Sequence, residues 1–150
     1  ATTKGLDDIE FLISTNPGQP AKSLAKVASG GELSRISLAI QVVTAQTSAI
    51  PTLVFDEVDV GIGGATGDIV GKLLRQLGDK GQVLCVTHLA QVASKGHQHL
   101  QVQKSIKGNK AQSTLVALEG EERIQEIARM MSGEKLTESS IAHARDLMVL

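Results

Sequence analysis

Three short runs, in fixed order, carry the residues of this sequence best suited to chemistry: Ser29-Gly30-Gly31-Glu32, Thr52-Leu53-Val54-Phe55-Asp56-Glu57 and Val86-Thr87-His88. Asp56 and Glu57 are adjacent carboxylates closing an apolar run. Neighbouring side chains at a strand end point in different directions, so one can hold a hydrated Mg²⁺ while the other orients a water. Mg²⁺ keeps most of its waters and takes one or two carboxylates plus substrate phosphates, so Asp56 suffices on the protein side. Glu57 is then free to act as a base, which needs reach to the water before it needs an unusual pKa. The plainer reading is a polar loop after a strand. Ser29 to Glu32 has the form Ser-x-x-Glu, a capping box at a helix start. Two consecutive glycines cost backbone entropy and suit a place where something approaches the backbone closely. A helix N-terminus offers free amides and a positive dipole end to a phosphate, so capping and anion binding are compatible. His88 comes after the apolar run Val83 to Val86 as Asp56 comes after Leu53 to Phe55, which makes a shared site more plausible than for an isolated histidine, a type that is more often a structural hydrogen-bonder. No stretch matches the G-x-x-x-x-G-K-[ST] loop that cradles nucleotide phosphates. The residues describe phosphate chemistry with one part missing.

The elements that must position these residues follow from periodicity. Leu53-Val54-Phe55 is a short, unalternated apolar run after Pro51, the pattern of a strand buried on both faces of a parallel sheet. Val83 to Val86, introduced by Asp79-Lys80-Gly81, predicts a second such strand. Between them Ile69, Val70, Leu73, Leu74 and Leu77 predict a helix from about Ala65 to Leu77, closed by Gly78. Parallel strands need a crossover of this kind. Upstream, Ile9, Phe11 and Ile13 alternate over Asp8 to Ser14 and predict a strand ending at Asn16-Pro17-Gly18. Leu33, Ile36, Ile40 and Val43 predict a helix from Ser29 to the high forties. Downstream, a short helical stretch follows His88. Leu100, Val102 and Ile106, the turn Lys107-Gly108-Asn109-Lys110, and Ser113 to Leu118 predict a hairpin. Two terminal helices fit Ile124, Ile127, Ala128 and Met131, then Ile141, Ala144, Leu147 and Met148, with Thr137 as N-cap of the second.

Composition bounds the function classes. A chain of 150 residues, 41% apolar, supports one domain with a real core over residues 1–150. Its 15 basic and 16 acidic residues leave a net charge of −1, so no global pull toward DNA or an anionic membrane exists. No apolar run approaches the ~18 residues a membrane span needs, and the N-terminus lacks a secretion signal's apolar core, so a cytoplasmic location is expected. Cys85, the only cysteine, forms no intrachain disulfide and is expected to pack as a small hydrophobe. With no Trp or Tyr and two Phe, the chain has almost nothing on which to stack nucleic-acid bases. His97 and His99 lack a third ligand for a metal site.

Ala28 to Arg35 resembles the signature motif of ABC-type ATPases, Thr52 to Glu57 resembles their Walker B strand, and Val86-Thr87-His88 resembles their histidine switch. Their order matches, so the resemblance spans most of the chain. Glu32, Asp59, and the runs Glu10 to Gly18, Phe55 to Gly63 and Thr87 to Ala93 are similar to the SMC-like branch that serves bacterial DNA repair. The resemblance implies an α/β, P-loop NTPase-like fold: the C-terminal lobe of an ABC-type head, a mainly parallel sheet flanked by helices with a hairpin near the C-terminal third. It implies an ATPase of DNA double-strand break repair and recombination, with ATP and Mg²⁺ as cofactors and a nucleoid-associated place in a bacterial cytoplasm. Asp56 would correspond to the Mg²⁺ aspartate acting through water, Glu57 to the catalytic base and His88 to the γ-phosphate contact. Ser29, Gly30, Gly31 and Glu32 would meet the nucleotide of the opposite subunit. By the same resemblance Asp59, Gly61, Ile62 and Gly63 would correspond to the D-loop, with Gly63 standing where many ABC proteins have an aspartate. The implied partners are the N-terminal lobe carrying Walker A, a second head in a homodimer, and DNA through the full-length protein, but no membrane. The chain alone is expected to be inactive. The rival readings are the lobe of a transporter-type ABC ATPase, a non-enzymatic dimerisation module, and a Mg²⁺-dependent hydrolase using Asp56, Glu57 and Asp59, which leaves the glycine pair idle.

Overall fold

The apolar run after Pro51 forms strand β3 (Thr52–Phe55), and the run after Gly81 forms strand β4 (Gln82–Cys85). They pair in parallel, with Thr52 opposite Gln82 and Phe55 opposite Cys85. The amide of Gln82 donates to the Pro51 carbonyl at 2.9 Å and that of Val86 to the Phe55 carbonyl at 2.9 Å, so the ladder extends past both ends. Helix α2 (Gly64–Gly78) makes the crossover. Its Val70, Leu74 and Leu77 meet Leu38 and Val42 of helix α1 (Gly30–Thr47), Phe55 of β3 and Val92 of the short helix α3 (Ala90–Ala93) in one buried cluster. The computed structural model describes residues 3, 5–14, 18–26, 30–47, 50–56, 59, 61–108 and 110–149.

A second cluster joins Ala90 to Ile127 and Ala128 of helix α4 (Gly120–Ser132) and to Ala144 of helix α5 (Glu138–Met148). The predicted cap of α5 is present: the Ser140 amide donates to Thr137 Oγ1 at 3.1 Å and the Thr137 amide to Ser140 Oγ at 2.9 Å. Two buried or half-buried cations tie the pieces together. Lys95, 3% exposed, donates from Nζ to the carbonyls of Leu147 (2.6 Å) and Val149 (2.9 Å) and lies 3.3 Å from Asp68 Oδ1. Arg123 donates to the carbonyls of Ser94 and Gly96, satisfying the end of α3. Between α3 and α4 the hairpin of β5 (His99–Lys107) and β6 (Lys110–Leu118) turns at Gly108, whose φ of +62° suits glycine.

Three expectations need correction. The strand expected over Asp8 to Ser14 is only β1 (Leu12–Ile13), paired antiparallel with β2 (Lys22–Ser23); Ile9 and Phe11 stay exposed. Helix α1 begins and ends close to where expected, but it buries Leu38 and Val42 instead of the stripe through Leu33, Ile40 and Val43, which remains exposed. Strand β3 is covered on one face only: Val54 is 68% exposed, and its register partner Leu84 is exposed as well. All three have one cause. These elements carry apolar residues on two faces, and the described residues supply a neighbour for one. Among the described residues β3–β4 is the one parallel pair, beside two antiparallel pairs, and no described strand pairs with the other edge of β4.

Candidate functional site at the strand ends

Because β3 and β4 run parallel and in register, their carboxyl ends coincide. Asp56 leaves β3 there with an exposed side chain, and Val86-Thr87-His88 leave β4. Ligands of open α/β sheets gather at this edge. Between the two loops lies Asp59, 2% exposed. A single oxygen, Oδ2, accepts from the Thr87 hydroxyl, from the His88 amide at 2.8 Å and from the Leu89 amide at 3.1 Å. The His88 ring nitrogen Nδ1 lies 3.2 Å from the same oxygen. Burial pushes the Asp59 carboxyl up, but the bonds from Thr87, His88 and Leu89 outweigh it and hold the group below its ordinary value, ionised. Burial, followed by the charges of Asp59 and Asp56, pushes the Cys85 thiol up to about 11, so it is no thiolate nucleophile near neutrality.

The structure therefore brings Asp56 and His88 to one edge, as the sequence predicts. Glu57 and Ser29 lie outside the described residues. Gly30 and Gly31 are the first residues of α1, where a helix N-terminus was expected; Glu32 follows in the same turn. In the remaining loop Gly61 adopts φ +74°, the Ile62 amide donates to the Asp59 carbonyl at 3.2 Å, and Ile62 packs on the first core cluster. Gly63 is extended and precedes α2, and a Cβ there meets nothing within 4 Å, so the aspartate common at this place is not excluded by space. His97 Nε2 lies 2.9 Å from Asp79 Oδ1. His99 is half-buried with Nδ1 lacking a partner among the described residues. Its pKa is lowered, first by burial and then by the Arg123 charge.

The Mg²⁺ fit is that of a one-carboxylate site. Among the described residues no group of three or more His, Cys, Asp or Glu side chains is arranged to hold a metal. Asp56 is exposed at the strand end, open to a hydrated ion, while the nearby Asp59 carboxylate already has its donors. Sequence reasoning missed Thr87 and Leu89 as partners of Asp59. The one available signal was the Asp two residues after Glu57 in a loop otherwise built from Gly, Val and Ile.

No family model matches the chain. Among curated proteins, the DNA repair protein RecN of Vibrio cholerae is 57% identical over 145 residues, 97% of this chain and 26% of that protein. RecN of Haemophilus influenzae is 52% identical over 149 residues, and RecN of Bacillus subtilis 40% over 147. The chain belongs to the RecN family. It spans about a quarter of the length of the RecN relatives it matches. A solved structure from work on the ATP-driven dimerization and DNA-stimulated activation of SMC ATPases superposes with this RecN-family chain at a TM-score of 0.62. That pair shares 20% identity over 84% of this chain and 81% of the other. The Smc head domain with coiled coil and joint from Pyrococcus yayanosii also reaches 0.62 at 20% identity, covering 81% of this chain and 25% of that one. These likenesses establish the fold, a P-loop ABC-ATPase-like α/β head.

Proposed function

We propose that this chain is the C-terminal lobe of the ATPase head of a RecN-type, SMC-like protein acting in DNA double-strand break repair and recombination. The observation that carries the reading is the coincidence, at the ends of two register-paired parallel strands, of exposed Asp56 and the Asp59-anchored switch loop. Asp56 would hold the water shell of a Mg²⁺ ion, which would supply charge to neutralise the phosphates. Glu57 polarises the attacking water. His88 meets the γ-phosphate from the neighbouring loop. Gly30 and Gly31 begin helix α1, whose N-terminal amides, with Ser29 ahead of them in sequence, suit a phosphate held by a second head, so hydrolysis would take two heads closed on two nucleotides.

The N-terminal lobe carrying the phosphate loop is the first partner. A groove of about 940 Å³ opens beside the free edge of β4, walled by Val83, Leu84 and Cys85 on one side and by Leu100, Val102 and Leu115 of the hairpin on the other. An unpaired strand edge next to an apolar wall calls for covering chain. The exposed stripe of α1 and the bare Val54–Leu84 face of the sheet make the same demand. No helix among the described residues is long and apolar enough to cross a membrane. DNA is then reached by the full-length protein. In that protein Glu57→Gln is expected to keep ATP binding, abolish turnover and accumulate ATP-dependent head dimers. Loss of nucleotide binding in the variant would exclude Glu57 as the base.

A further inference from the structure

We propose that Asp59 is a positioning residue for hydrolysis: it clamps the loop Thr87–Leu89 to the loop after β3, presenting the His88 ring by Nδ1 and leaving Nε2 free to meet the γ-phosphate. The proposal rests on reading His88 as the γ-phosphate contact. Its basis is the concentration of donors on one buried oxygen. Thr87 Oγ1, the His88 amide and the Leu89 amide all donate to Oδ2, and His88 Nδ1 stands 3.2 Å away. Burying a carboxylate is costly unless it is multiply bonded, and no Lys or Arg among the described residues pairs with this one. An apolar residue would fill the space at less cost in desolvation. It would also leave two loop amides and a hydroxyl without this acceptor.

Each bond fixes something the site uses. The Leu89 amide belongs to the residue from which α3 starts, and Leu89 has no side-chain cap of its own, so Asp59 sets where that helix begins. Thr87 Oγ1 also accepts from the Leu89 amide at 3.0 Å, closing the loop on itself. On the other side, the Asp59 carbonyl accepts from Ile62, so one residue joins the turn after β3 to the loop after β4. The His88 side chain is 74% exposed; its Nδ1 lies 3.2 Å from Asp59 Oδ2, and Nε2 has no partner among the described residues. A ring held from one side and open on the other is pre-organised, which lowers the ordering cost of meeting the phosphate.

The test is a double-mutant cycle in the full-length protein. Asp59→Asn keeps the shape but loses the charge and replaces one oxygen with a donor. It is expected to lower kcat by about ten- to hundredfold, with the KM for ATP within about twofold, because the lost interaction serves the transition state and not binding. In a His88→Ala background the same substitution should cost less than about twofold more, since the clamp acts on turnover through the His88 ring. Should Asp59→Asn fail to fold, Thr87→Val removes the hydroxyl alone, both its donation to Asp59 and its acceptance from the Leu89 amide, and its several-fold loss of kcat should vanish in the His88→Ala background in the same way. Multiplicative losses overturn the proposal and leave the switch reading standing. An unchanged kcat in His88→Ala removes both.

Discussion

A buried carboxylate such as Asp59 survives where hydrogen bonds replace its water, and its lowered pKa has a defined sign. A depressed carboxyl contributes stability above its unfolded pKa and loses it as pH falls through the folded one. Glu126, held down first by its hydrogen bond from Arg129, follows the same rule. Both losses belong below the ordinary carboxylate values of 3.8 and 4.5. His99 acts in a separate window. Burial and Arg123 disfavour its protonated form in the fold, so the unfolded chain takes up a proton first as pH falls below 6.5. Stability of the assembled head is therefore expected to decline on acidification from 6.5, before the carboxylates contribute, and His99→Gln is expected to flatten that decline. Urea midpoints at a series of pH values read it, and an unchanged slope in the variant would refute it. At this scale Asp56 and His88 were legible because strand ends are local features. The partners of Asp59 were not, because Thr87 lies 28 residues away and only the fold brings it near.

Among the elements, α2 shows how closely backbones approach beside the site. A Cβ on Gly71 would stand 2.9 Å from the Gln91 carbonyl oxygen of α3 and 2.9 Å from Lys95 Cγ. Glycine inside a helix ordinarily costs about 1 kcal/mol relative to alanine. Here the sign reverses, because a backbone carbonyl cannot move aside as a side chain can, and overpacking costs about 1–3 kcal/mol. Gly71→Ala is expected to destabilise the assembled head, whereas Gly67→Ala, which meets the Gln91 side chain at 3.2 Å, should lose far less. Thermal melts of the two variants compare them, and a stabilised Gly71→Ala would show that the α2–α3 contact is loose. The Thr137 cap was readable because its partner is three residues away. The buried face of α1 was not, because the helix carries two apolar stripes and periodicity cannot choose between them.

For the whole molecule, the bare faces form one pattern. The exposed stripe of α1, the open side of β3–β4 and the groove beside β4 are all apolar, and the RecN relatives are about four times as long as this chain. Periodicity announced strands buried on both faces, and on the proposed reading that signal describes the completed head instead of the lobe alone. On the proposed reading, the phosphate loop absent from this sequence would belong to the half that covers these faces. Division of one site between two lobes and two heads is the central claim, and reconstitution tests it most directly. ATP turnover should be measured for this chain alone, for the N-terminal lobe alone, and for the two co-expressed. The account predicts turnover only in the co-expressed sample, rising with head concentration and abolished by Glu57→Gln; turnover by this chain alone that the same substitution abolishes would contradict it.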